Sequence, residues 1–152
     1  MQETVLDFCH QRAFRMKITY TKELLASMSI FTRITGAELK DAFEHENALY
    51  FVVQPGQMGK AIGRGGATVK ELQERFKRHI RIIEYCPDII KFIQNVIYPL
   101  KVEGMTEESG VITIKSEDRA LKGQLIGRNA KNLNMLRDVV SRYFKVTEIR
   151  IE

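Results

Sequence analysis

An octet that occurs twice constrains this chain more than any other feature. Gly59-Lys60-Ala61-Ile62-Gly63-Arg64-Gly65-Gly66 returns as Gly123-Gln124-Leu125-Ile126-Gly127-Arg128-Asn129-Ala130, an offset of 64 positions in a chain of 152. Downstream, Val69, Leu72 and Phe76 stand at the same offset from Leu133, Leu136 and Val140. A repeat fixes architecture before any local reading, because each copy is one supersecondary unit. Two units of roughly 65–70 residues are therefore expected. Units that small bury modest cores and gain by leaning on one another.

Periodicity and punctuation then order the elements. Residues 1–16 have no counterpart in the second half and read as an extension, with room for an extra helix. Thr21 is an N-cap candidate, Leu24, Leu25, Met28 and Phe31 follow at helical spacing, and Gly36 ends the helix. Strands are expected at 37–44 and 49–53 around a turn at Glu46-Asn47. After Pro55-Gly56 come a short helix to Ile62, the Gly turn, a helix over 68–78 and a strand at 80–85.

The second unit repeats the order. Pro87 falls in the first turn of a helix over 88–97, which Pro99 stops. A strand at 100–105, a turn at Glu107-Glu108-Ser109-Gly110, a strand at 111–115, a short helix, the second Gly turn, a helix over 132–143 and a strand at 146–152 complete it. Each unit reads α-β-β-α-α-β, an α+β fold with a three-stranded sheet packed on helices. The expected domains are 17–86 and 87–152. The joint Tyr85-Cys86-Pro87-Asp88 has no Gly/Ser run, so a fixed, docked arrangement is expected rather than a flexible tether.

Chemistry concentrates in the Gly turn. Glycine lets the backbone turn tightly and approach a ligand closely. The helix that follows presents unpaired N–H groups and the positive end of its dipole, where a phosphate fits. Arg64 stands at the tip with Lys60 and Lys70 beside it. Such a grip positions a nucleic acid without reading its sequence. A nucleotide-binding P-loop would need Gly-Lys-Ser/Thr, whereas Ala67-Thr68-Val69 follows Gly66. A dinucleotide fingerprint would need a strand directly before it. The net charge of +5 and a pI near 9.3 also favour a polyanionic partner.

An Ile-Gly-X-X-Gly turn between two helices resembles the mark of KH RNA-binding domains, and the element order resembles their type II form. Two such units in tandem, the first carrying AIGRGGATVKEL, resemble the archaeal NusA-like transcription factors over about residues 17–152. The resemblance implies a clamp on the backbone of about four nucleotides, made by Lys60, Ile62, Gly63, Arg64, Gly65, Gly66 and Lys70 in the first unit. In the second it implies Gly127, Arg128, Asn129, Ala130 and Lys131. Ala130 replaces the last glycine and puts a methyl where a phosphate would approach; Asn129 tolerates the left-handed conformation. The first grip is expected to be the stronger.

The remaining residues invite blander readings. Ile62 and Ile126 are expected to anchor the short helices in the core, and Val69, Leu72 and Phe76 to be core. Arg75, Lys77, Arg78 and Arg81 either extend a basic track or form a solvated face. Cys9-His10 has no second Cys/His pair at zinc spacing, and Cys9 and Cys86 read as reduced thiols. His45 and His79 stand apart from any nucleophile, and Glu107-Glu108 reads as a solvated turn. No apolar run approaches the roughly 18 residues a membrane span needs, and no secretory leader is visible. The expectation is a cytoplasmic, non-enzymatic protein without cofactor, metal or small-molecule substrate. It would bind single-stranded nascent RNA and modulate elongation, termination or antitermination, with RNA polymerase as a further partner. A ribosome-associated KH protein binding ribosomal RNA is the alternative.

Overall fold

The computed structural model describes residues 4–6 and 18–152. Their contacts group into two units, 4–6 with 18–86, and 87–152.

In the first unit, strand β1 (Thr4–Leu6) pairs antiparallel with β2 (Ile18–Tyr20). An extra helix was expected before residue 16. Thr4–Leu6 is strand instead, and the rest of that segment, with Cys9 and His10, lies outside the described residues. Helix α1 (Lys22–Thr35) starts where Thr21 Oγ1 accepts the Leu24 N–H at 3.2 Å and stops at left-handed Gly36. Strands β3 (Leu39–His45) and β4 (Ala48–Val53) are antiparallel, and β5 (His79–Glu84) lies parallel to β4. Helices α2 (Met58–Ile62) and α3 (Ala67–Phe76) fall between β4 and β5. Alternation along β4 turns Leu49, Phe51 and Val53 to the helices, where they pack with Leu24, Phe31, Leu72 and Ile80. The Phe31 and Phe51 rings stack at 4.2 Å. Each such side chain contributes about 1.5–3 kcal/mol by leaving water. The β3 register slips between Leu39 and Asp41, and buried Asp41 accepts the Tyr20 hydroxyl at 2.5 Å and the Ala42 N–H at 2.8 Å.

In the second unit, α4 (Ile89–Ile97) is capped by Asp88, whose carboxylate accepts the Ile90 N–H at 2.9 Å. Pro87 therefore precedes the cap and does not enter the first turn as expected. Phe92, Ile93 and Val96 are buried, with the Phe92 ring against those of Tyr143 and Phe144. Strands β6 (Gly104–Glu108) and β7 (Val111–Lys115) are antiparallel, and β8 (Glu148–Ile151) lies parallel to β7. Helices α5 (Arg119–Ile126) and α6 (Lys131–Ser141) fall between β7 and β8. Two expectations need correction. Strand β6 overlaps the expected 100–105 only at Gly104 and Met105 and runs on to Glu108, so Glu107-Glu108 belongs to it rather than to the turn. The turn is only Ser109-Gly110, both at positive φ. That two-residue hairpin pairs Glu108 with Val111, and counting back along β7 places Gly104 opposite Lys115. Apart from the β1–β2 pair, both units have the order α-β-β-α-α-β.

Candidate nucleic-acid interface

The first turn begins at Gly63, whose N–H donates to the Gly59 carbonyl at 3.0 Å and closes α2. Gly63 takes φ 75°, ψ 173°. A single 3₁₀ turn, Arg64–Gly66, then carries Gly65 and Gly66 at φ 61° and 77° into α3. The glycines are needed for different reasons. A Cβ on Gly63 would fall 2.1 Å from Thr68 Oγ1, 2.8 Å from its Cβ and 3.0 Å from its backbone nitrogen. A Cβ on Gly65 or Gly66 would meet nothing within 4 Å. Gly63 is thus required by packing inside the turn. At Gly65 and Gly66 glycine is favoured by the left-handed backbone, and both face open space.

No side chain caps α3 at its start. In contrast, α1, α4 and α5 begin with Thr21, Asp88 and Asp118, whose oxygens take up first-turn N–H groups. At the start of α3 the Gly66 N–H donates to the Gly63 carbonyl at 3.3 Å and the Ala67 N–H to that of Arg64, and the positive end of the helix dipole lies at the turn. Lys60, Arg64 and Lys70 are all exposed around it.

The second turn reproduces the first in backbone. Gly127 takes φ 73°, ψ 171°, Asn129 φ 57°, ψ 31° and Ala130 φ 58°, ψ 25°. The loss of two glycines has not changed the path. Asn132 occupies the place of Thr68, its Cγ 2.8 Å from where a Gly127 Cβ would stand. Its Nδ2 donates to the Gln124 carbonyl at 2.7 Å, clipping the start of α6 to the end of α5. Helix α6 is likewise uncapped by any side chain. Arg128, Asn129 and Lys131 are exposed. Sequence reading passed over Thr68 and Asn132, although a polar residue at the same offset behind each Gly turn was visible.

Ala130 carries the cost of its left-handed backbone, about 1–2 kcal/mol for a residue with a Cβ. Ala130→Gly should remove it, offset by the greater unfolded-state freedom of glycine, for a net gain of roughly 0.5–1 kcal/mol. Urea unfolding checks this; a lower midpoint would mean that the methyl makes contacts worth more than the strain.

The two isoleucines do not sit where they were expected. Ala61 and Leu125 turn into the cores, whereas Ile62 is half-buried and Ile126 is 36% exposed. Short helices such as α2 allow no periodicity argument, and their packing selects the residue before the isoleucine. Both isoleucines are left as apolar surface beside their turns. Leu72 is fully buried, and Val69 and Phe76 are half-buried.

The basic run beyond the turn divides. Arg75 and Arg81 are exposed, while the Arg78 Nη1 donates to Glu44 Oε1 at 3.1 Å. Lys77, Arg78 and His79 line a common pocket with Asn47 and Gln73. His45 lies edge-on to Tyr50. Groups with displaced protonation equilibria are not gathered at the turns. Burial pushes the Lys40 ammonium down, against the opposing pull of Asp41, and Lys40 lies 4.1 Å from the centre of the Tyr85 ring. Burial pushes the Tyr50 hydroxyl up. Among the described residues no three His, Cys, Asp or Glu side chains come together as a metal site would require. No helix among them is long and apolar enough to cross a membrane.

Comparison with known proteins agrees with this geometry. A family model described as the KH domain matches residues 27–103, which include the first Gly turn. The chain is 31% identical over 140 residues to a protein of Methanococcus vannielii named probable transcription termination protein NusA, covering 90% of this chain and 80% of that one. It is 28% identical to the proteins of the same name from Thermoplasma acidophilum and Halococcus morrhuae. Those alignments cover 90% of this chain and 96% and 99% of theirs. Among solved structures, the crystal structure of APE1850 is similar at a TM-score of 0.69 and 34% identity, covering 88% of this chain and all of that one. With two α-β-β-α-α-β units, each built around the same Gly turn, the chain belongs to the KH-domain family of archaeal NusA-like proteins.

Proposed function

We propose that this protein is an RNA-binding transcription factor that grips single-stranded nascent RNA at both Gly turns and thereby modulates elongation, termination or antitermination. The observation that carries the reading is the recurrence of one turn geometry. Two turns of matching dihedral angles, each tipped by an arginine, open onto helices that no side chain caps. The family supports RNA as the partner, and the name shared by the relatives supports a role in transcription, with RNA polymerase as a further partner.

In this reading a backbone phosphate lies over Gly65 and Gly66 against the start of α3, and Arg64, Lys60 and Lys70 neutralise it and its neighbours. Gly63 shapes the turn from beneath. At the second turn Arg128, Asn129, Ala130 and Lys131 do the same around Gly127. Ile62 and Ile126 offer apolar surface to the bases of an unstacked strand. Each of the two modules, 17–86 and 87–152, supplies one grip. Nothing in this arrangement performs catalysis.

The electrostatic part of the grip has a measurable slope. If Lys60, Arg64, Lys70 and Arg128 neutralise about four phosphates, log affinity for single-stranded RNA should fall with log salt at a slope of roughly −3. Fluorescence anisotropy across a salt series reads it. A slope near zero, or tighter binding to duplex than to single-stranded RNA, would refute the reading. In cells, crosslinking is expected to recover nascent transcripts; recovery of mature small-subunit ribosomal RNA alone would favour a ribosomal role.

A further inference from the structure

The two Gly turns follow one path by different means. In the first, Gly65 and Gly66 take φ 61° and 77°, a conformation open to glycine at little cost. In the second, the same two places hold Asn129 and Ala130 at φ 57° and 58°. Asparagine tolerates that conformation. Alanine, with its Cβ, favours the right-handed one. By local preference alone, the second turn would leave the path at Ala130.

What differs between the units is the clip from α6 back to α5. The Gly127 N–H donates to the Gly123 carbonyl at 2.8 Å and ends α5. The Gln124 carbonyl, next along, is one of those a helix end leaves without an intrahelical partner. Asn132 Nδ2 donates to it at 2.7 Å, at the short end of the N–H···O range. At the offset of 64, Lys60 and Thr68 stand in these places. Threonine is one bond shorter than asparagine, and the Thr68 hydroxyl makes no hydrogen bond with the described residues. The turn that has its glycines has no clip, and the turn that lacks two of them has one. The clip also spans the strained residues, since Gln124 lies before Asn129 and Ala130 and Asn132 lies after them. Rotating Ala130 to the right-handed form would redirect α6 and carry Asn132 away from Gln124. Hydrogen bond and left-handed turn therefore favour the same state, and each stabilises the other.

We propose that Asn132 is a positioning residue for RNA binding: its clip to Gln124 holds the second turn in the gripping conformation that glycine gives the first. The inference rests on the RNA-binding reading of the turns. Asn132 need not touch the strand. Its Nδ2 is turned to Gln124, and its Oδ1 is an acceptor with no attraction for a phosphate. It acts through the backbone of Asn129 and Ala130. A turn that holds the gripping conformation for only part of the time binds in proportion to that fraction. A hydrogen bond of ordinary net strength shifts such an equilibrium by about two- to tenfold. The clip thus sets how much of the second grip is ready when RNA arrives.

The test is the intact chain against Asn132→Ala, Asn132→Thr, and Asn132→Ala combined with Ala130→Gly. Each is titrated with a long mixed-sequence single-stranded RNA by fluorescence anisotropy, at a temperature where circular dichroism shows all of them folded. NMR of the free proteins reads the turn, because a residue at positive φ brings its own N–H and Hα close and gives a strong cross-peak between them. Asn132→Ala should weaken that cross-peak at Ala130 and lower RNA affinity by about two- to tenfold. Asn132→Thr, which places the first unit's residue here, should do the same. Ala130→Gly should restore the affinity lost in Asn132→Ala, because glycine takes either hand, although it returns no hydrogen bond to Gln124. Wild-type affinity in either single variant overturns the assignment. So does lowered affinity with an unchanged Ala130 cross-peak, which would make Asn132 a direct RNA contact, and so does failure of the glycine to restore binding. A wild-type chain that binds no RNA overturns the function proposed for the turns, and this role with it.

Discussion

Gly65→Asp in the intact chain is expected to lower affinity for a long single-stranded RNA by about 10²- to 10⁴-fold. A carboxylate on this residue projects into open space over the start of α3, where the reading places a phosphate. The loss exceeds one contact if, as proposed, both turns grip one strand: the second binding event is then intramolecular, and the effective concentration so gained is worth that factor. Asn129→Asp should have the smaller effect of the two. The second turn has the same backbone as the first, but Ala130 replaces the last glycine and Gln124 replaces Lys60. The double variant should bind no better than the sum of its parts allows. If Asn129→Asp weakens binding more than Gly65→Asp while both remain folded by circular dichroism, the ranking of the grips is reversed. If neither changes affinity on long RNA, the turns are not the site.

Gly63→Ala is expected to damage the fold of the first turn, in contrast to Gly66→Ala. At Gly63 a methyl would strike Thr68, and rotating the hydroxyl away leaves the contacts at 2.8 Å to Thr68 Cβ and 3.0 Å to its nitrogen. The backbone at φ 75°, ψ 173° is itself open almost only to glycine, costing of order 1–3 kcal/mol for any other residue. Clash and strain together should cost clearly more than Gly66→Ala, where only left-handed strain of about 1–2 kcal/mol applies and the second unit already carries alanine. Denaturant unfolding of both variants decides it. Equal midpoints would mean that the turn can shift away from Thr68, and that packing beneath it does not set its shape.

Local signals were legible in the sequence wherever one residue's chemistry is enough. Thr21 and Gly36 bound α1 because a side-chain oxygen and a missing Cβ satisfy helix ends without help from elsewhere. The repeat announced two units because identical turns demand identical neighbours. The Gly turns were legible as tight turns between two helices because only their backbone chemistry, not their surroundings, had to be known.

Tertiary structure decided what depends on a partner distant in sequence. Whether Ala61 or Ile62 faces the core is a matter of how a five-residue helix rotates against the sheet, which no periodicity can reveal. Strand β6 was misplaced because its limits are set by pairing with β7 through a two-residue turn, not by its own composition. The different needs met by Gly63 and Gly65 appear only once Thr68 is folded back over the turn. Likewise Lys77, Arg78 and His79 look like any basic run until the sheet brings Asn47 beside them. The sequence by itself determined the two units, the order of elements within their repeat and the backbone of the Gly turns. Packing, which acts between residues far apart in the chain, determined which side chains surround it.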